Sequence, residues 1–150
     1  MGPPRRAVPH QTSVDFFILP RVDPKVLARI GAFSGLSRHE LEKLAGWTFE
    51  LEVPAGEELT KEGRLAHEFF VIEEGAVEVR HDDERIAELG AGDFFGEIGL
   101  LRGGARTATV VATTPLRLIV MSAQEFRRME QELPAVADRV RAAVQERLGF

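Results

Sequence analysis

Between Trp47 and Met121 the sequence breaks into short runs rich in β-branched and aromatic residues, TFELEV, EELTKE, HEFFVIEE, AVEVRH, RIAELG, ATVVAT and LRLIVM, cut by PAG, GRLA, EG, DDE, AGD and TP. Runs this short, punctuated by glycine and proline, read as strands joined by turns. None can bury its apolar face alone, so the chain must close them into a β-sandwich, roll or barrel. The clearest hairpin is AVEVRH turning through DDE into RIAEL, with Val77 and Val79 facing one side and Glu78 and Arg80 the other.

The flanks follow helical grammar. Asp23 and Pro24 form a helix start leading into KVLARIGAF. Ser37 and Glu40 make a capping box, Leu36 can staple to Leu41, Leu41 and Leu44 point one face inward, and Gly46 ends the helix. After the strands, Ser122 caps a helix with Glu125 three residues on and an apolar stripe of Phe126, Met129 and Leu133. Pro134 divides this segment and opens a second helix whose apolar face is Val136, Ala137, Val140, Ala143 and Val144. The fold class expected is mainly β, a jelly-roll-like β-roll flanked by N-terminal and C-terminal α-helices. Residues 1–22 read as a flexible leader and 23–150 as one domain; within the leader, the apolar VDFFILP at 14–20 reads as a strand or a docking arm.

Composition narrows the chemistry. A chain of 150 residues is one ordinary domain, and the absence of cysteine removes disulfides, thiolate metal sites and thiol nucleophiles. A net charge of -5 argues against nonspecific contact with a phosphate backbone, so no nucleic acid partner is expected, and an anionic ligand would need a local cationic site. Metal-dependent β-roll enzymes are the nearest catalytic alternative, but His10, His39, His67 and His81 form no pair at ligand spacing; His67 beside Glu68 reads as a strand edge. There is no nucleophile elbow, zincin helix or Walker loop, so the chain is not expected to be an enzyme and no metal is expected. No stretch approaches the roughly 20 apolar residues that cross a bilayer, and no signal-peptide core follows the N-terminus; the cytoplasm is the expected location.

The most informative segment is GDFFGEIGLLRGGARTATV at 92–110. Gly92 and Gly96 permit unusual backbone dihedrals, and the first amides of EIGLL are free to point at an anion. Arg106 can grip the same anion bidentately, helped by the Thr107 hydroxyl, while Glu97 makes better sense as the acceptor of a sugar hydroxyl than beside a phosphate. Taken alone, Glu97 and Arg106 also fit a surface pair or a structural salt bridge.

FGEIGLL at 95–101 followed by ARTATV at 105–110 resembles the phosphate-binding cassette of the cyclic-nucleotide-binding domain family, shared by catabolite-activator-type regulators, cyclic-nucleotide-dependent kinase regulatory subunits and nucleotide-gated channels. The resemblance runs over about 30–146: FSGLSRHELEKLAG is similar to the family's first helices, PAGEELTKEG and FFVIEEGAVEV to its early strands, and the tail to its hinge and lid helices. It implies that Arg106 pairs with the exocyclic oxygens of a cyclic phosphate and that Glu97 accepts from the ribose 2′-hydroxyl. By the same resemblance Gly96, Ile98 and Gly99 supply close backbone contacts, Thr107 permits either purine, and Ala108 lends an amide to the phosphate. Val79, Leu89 and Val110 would neighbour the base or sugar. From the last helix Val136, Arg139, Val140 and Ala143 are candidates to complete the pocket, although Val136 and Val140 read first as packing against the roll.

The function expected is a sensor that binds cyclic AMP ahead of cyclic GMP, without a separate cofactor, and moves the C-terminal helix. The alternative is a nucleotide-free interaction or dimerisation module of the same fold. In either case the Val/Ala stripe of the last helix could serve a homodimer or an effector protein. No helix-turn-helix, kinase or channel segment is legible in these residues.

Overall fold

The computed structural model describes residues 6–7, 17–19, 22–61, 63, 68–96 and 108–146. Asp23 caps α1 (Pro24–Ala28) by accepting from the Lys25 amide at 2.9 Å, with proline in the first turn where its missing N–H costs nothing. The helix expected to run on through KVLARIGAF stops there. Ile30 is extended, and a 3-10 turn follows at Gly31–Phe33. Leu27, Ile30 and Phe33 are all buried in one apolar cluster, reached by a helix, an extended residue and a 3-10 turn in succession. The reciprocal Ser37–Glu40 capping box opens α2 (Arg38–Gly46).

The strands are β1 (Arg6–Ala7), β2 (Phe17–Leu19), β3 (Phe49–Val53), β4 (Glu58–Thr60), β5 (Glu68–Glu74), β6 (Val77–His81), β7 (Glu84–Leu89), β8 (Phe94–Phe95), β9 (Thr109–Ala112) and β10 (Leu116–Ser122). Among the described residues they form a six-stranded sheet in the order β1-β2-β3-β10-β5-β8 and a four-stranded sheet in the order β4-β9-β6-β7, with every pairing antiparallel. This is the β-roll with flanking helices expected from the strand pattern. Of the apolar run at 14–20, Phe17–Leu19 pair with β3 and add a strand to the large sheet; the other residues of that run lie outside the described residues. The two-residue β8 was not legible as a strand, since FF between two glycine-bearing turns carries no alternation.

Two apolar clusters sit on opposite faces of the six-stranded sheet. The inner one fills the roll with Leu51, Phe70, Ile72, Val77, Val79, Phe95, Val110, Leu118 and Val120. The outer one joins Phe69, Val71, Ile119 and Met121 to the helices through Leu27, Phe33, Leu44, Phe126 and Met129. Successive residues of β5 and β10 therefore serve different cores, which explains why FFVI and LIVM are continuous apolar runs: both faces of these central strands are covered. β7 is covered on neither flank to the same degree and reads eeeieB from exposed to buried, ending in the buried Leu89.

Two turns show local sequence logic. Asp82 and Asp83 both have positive φ, 52° and 64°, the signature of the two-residue turn whose twist suits a hairpin, and they join β6 to β7. Gly75, between β5 and β6, has φ 102°, and a Cβ there would strike the Pro115 carbonyl and the side chains of Leu116 and Thr114. Only glycine lets the chain cross at that point.

Ser122 caps α3 (Ala123–Glu132) by accepting from the Glu125 amide at 3.2 Å, and Pro134 opens α4 (Pro134–Glu146). The division expected at Pro134 is present, with Leu133 as the intervening residue.

Candidate functional site

Two strand ends define the site. The turn before β8 is pinned to β5: the Gly92 amide donates to the Ile72 carbonyl and the Ile72 amide to the Asp93 carbonyl, each at 2.8 Å. The Asp93 carboxylate accepts from the Gly90 amide at 2.9 Å and closes the turn. β8 then pairs Phe95 with Phe70, their rings stacked at 4.8 Å, and the chain leaves the six-stranded sheet at Gly96 with φ 90°, a conformation that disfavours any side chain. The return is through Ala108, 5% exposed, into β9 of the four-stranded sheet.

Phe95, Ala108 and Val110 belong to one apolar cluster, so the chain leaves one sheet at Gly96 and rejoins the other at Ala108 on the same core. Glu97, Ile98, Gly99, Arg106 and Thr107 lie in that segment, outside the described residues.

Of the remaining candidates, Val79 on β6, Leu89 on β7 and Val110 on β9 share the inner cluster with Ala108, at 0%, 7% and 4% exposure. Cross-strand pairing explains their meeting, because Val79 stands opposite Val110 in the β6–β9 register. The C-terminal candidates sit elsewhere. Val136 and Val140, both fully buried, join the outer cluster with Phe33 and Met129, which is the packing reading of these residues. The Arg139 guanidinium donates to the Ala32 carbonyl at 3.0 Å and to the carbonyl of Ser34, tying α4 to the 3-10 turn. The side chain of Ala143 lies outside the described residues.

One residue beside the site escaped sequence reading. Thr60 on β4 is 6% exposed and donates its hydroxyl to the Ala108 carbonyl at 3.0 Å, fixing the point where the segment rejoins the roll. Its partner is 48 residues away in the chain, so no local signal marks it. The helical layer has its own ties. Lys43 on α2 donates to Glu132 on α3 at 2.9 Å and holds the Glu132 carboxyl below its ordinary range, and Arg128 lies 5.8 Å above the Trp47 ring. A surface groove of about 470 Å³ between α1 and α2 is lined by none of the candidate residues. Among the described residues no group of His, Asp or Glu side chains is arranged to hold a metal ion, and no helix is long and apolar enough to cross a membrane.

Fold and strand ends together define an antiparallel β-roll with a helical layer on one sheet. Comparison with known proteins names the class further: the profile of the cyclic nucleotide-binding domain matches residues 50–132, and the chain belongs to that family. It is 39% identical over 97 residues to a cyclic nucleotide-gated potassium channel of Rhizobium etli, a match covering 65% of this chain and 27% of the channel. It is 34% identical to a cAMP-dependent protein kinase regulatory subunit of Mycosarcoma maydis, over 77% of this chain and 24% of that protein. The chain thus spans about a quarter of the length of these curated relatives. Among solved structures, the catabolite activator protein of Thermus thermophilus superposes with a TM-score of 0.71 at 27% identity, covering 78% of this chain and 57% of that one. The regulatory subunit of a cAMP-independent protein kinase A from Trypanosoma brucei gives 0.73 at 29% identity, over 81% and 44%. The region matched by the family profile runs from β3 through α3.

Proposed function

We propose that this domain is a cyclic nucleotide sensor that takes cyclic AMP ahead of cyclic GMP at the segment between Gly96 and Ala108 and passes occupancy to α4. The observation that carries this reading is the rooting of both ends of that segment in one apolar cluster, within a chain of the cyclic nucleotide-binding domain family. In this reading Arg106 neutralises the cyclic phosphate, Glu97 accepts from the ribose 2′-hydroxyl, and Gly96, Ile98, Gly99, Thr107 and the Ala108 amide line the cradle. The buried face of Val79, Leu89 and Val110 supplies the apolar floor. Val136, Arg139 and Val140 are engaged with the helical layer, so any contact of theirs with the base requires α4 to move; α4 is also where a second copy or an effector protein would read the change.

The test is calorimetric titration of nucleotide-stripped protein with cyclic AMP and cyclic GMP, repeated on Arg106→Ala. The expected result is one ligand per chain, tighter for cyclic AMP. The variant is expected to be weakened by about tenfold to a hundredfold, because a charge-assisted pair contributes about 1.5–3 kcal/mol. Unchanged affinity in Arg106→Ala overturns the assignment of the phosphate site.

A second reading is favoured by the similarity to the Trypanosoma protein, the regulatory subunit of a cAMP-independent protein kinase A. The same fold would then serve as an interaction module. No heat with either nucleotide, together with self-association or capture of a protein through α4, selects that reading.

A further inference from the structure

On the outer face of the six-stranded sheet, beyond the apolar patch where the helices dock, lies a group of carboxyls with one cation among them. Glu50 and Glu52 project from β3 on the face opposite Leu51 and Val53, and Glu50 stands opposite the buried Ile119. On the other side of β10 the ladder shifts register between Arg117 and Leu118: Arg117 pairs with Glu74 and Leu118 with Ile72, so Glu73 is the extra residue of a bulge. Glu73 follows Phe69 and Val71 on the outer face of β5, and its carboxyl interacts with that of Glu50 across β10.

The site is crowded and partly dry. Glu50 is 9% exposed, and Oε2 of Glu73 is buried with no hydrogen-bond partner among the described residues. Arg117 approaches Glu52 at 3.3 Å and Glu50 at 3.9 Å. The described groups that face the pair are Glu52 from β3, Glu74 from β5, Arg117 from β10 and Asp23 at the start of α1. One guanidinium therefore serves several carboxyls, and two carboxyls in contact in a half-buried place cannot both ionise without strong repulsion.

We propose that Glu50 and Glu73 share a proton across β10 and act as a pH-responsive element beneath the point where the chain enters the helical layer. The electrostatics agree with the geometry. Burial, and then the neighbouring Glu50 carboxylate, pushes the Glu73 carboxyl from 4.5 up to about 7, and burial likewise raises Glu50. A carboxyl whose pKa is raised by folding contributes stability that is complete below its unfolded value and is lost as pH rises through its folded value. For Glu73 that window runs from 4.5 to about 7. Above it, both carboxylates are charged beside Asp23, the cap of α1, so proton loss loosens the seat of the first helices.

The experiment is thermal unfolding of the full chain between about pH 5 and about pH 8 for the wild type, Glu73→Gln and the control Glu84→Gln, an exposed carboxyl on the other sheet. The wild type is expected to lose melting temperature relative to Glu73→Gln progressively as pH rises, while Glu84→Gln follows the wild type. A constant difference between wild type and Glu73→Gln across the range overturns the proposal. The side-chain carboxyl carbon shift of Glu73, followed by NMR in the wild type, decides the matter even if the variant fails to fold. A midpoint near 7 supports the shared proton, and titration complete below about pH 5 refutes it.

Discussion

Thr60 illustrates how a single side chain can matter to a site it does not enter. Its hydroxyl satisfies the buried Ala108 carbonyl. Thr60→Val keeps the shape and the β-branch but leaves that acceptor unpaired, at a cost of about 1–3 kcal/mol. Thermal or urea melts are expected to show this loss, and Thr60→Ser to recover most of it by restoring the donor. At this scale the sequence was uneven. The Asp23, Ser37 and Ser122 caps were legible because a cap and its partner lie within three residues. Thr60, Glu50 and Glu73 were not, because each acquires its role from a strand remote in the chain.

Among the elements, α4 is held both by an apolar face and by a polar tie. Its buried Val136 and Val140 pack in the outer cluster, and the exposed Arg139 reaches across to the carbonyls of Ala32 and Ser34. Arg139→Ala removes these bonds without disturbing the apolar face. The expected outcome is a stability loss of about 1 kcal/mol, with faster amide hydrogen exchange along α4 while β5 and β10 keep their protection. Uniform exchange across the protein would mean that α4 unfolds only with the whole. The strands behaved differently as objects of sequence reading. Long apolar runs such as FFVI announced β5 but not which residue faced which core, since a strand covered on both sides shows no alternation. The α1 helix ends earlier than its apolar residues suggest: the chain is extended at Ile30 and resumes as a 3-10 turn at Gly31–Phe33.

At the scale of the molecule, the described residues build two cores on one sheet, the inner filling the roll and the outer seating the helices. A ligand that binds only the folded roll adds stability by mass action, about 2.7 kcal/mol at a hundred times its dissociation constant. Under the proposed function, saturating cyclic AMP is therefore expected to raise the melting temperature by about 5–10 °C for a chain of this size, with 5′-AMP giving much less. A shift of equal size with both nucleotides would argue against recognition of the cyclic phosphate. The sequence by itself determined the class of fold, the succession of helices, β-roll and helices, the helix caps, and membership in the cyclic nucleotide-binding family, because these rest on periodicity and on motifs contiguous in the chain. Only the tertiary structure decided that Val79 meets Val110, that Val136 and Val140 serve the helical core, that Arg139 holds the 3-10 turn, and that Glu73 meets Glu50 across β10. The physical reason is sequence separation. Sheet register and bulges bring together residues tens of positions apart, and no local pattern of side chains encodes which of them will touch.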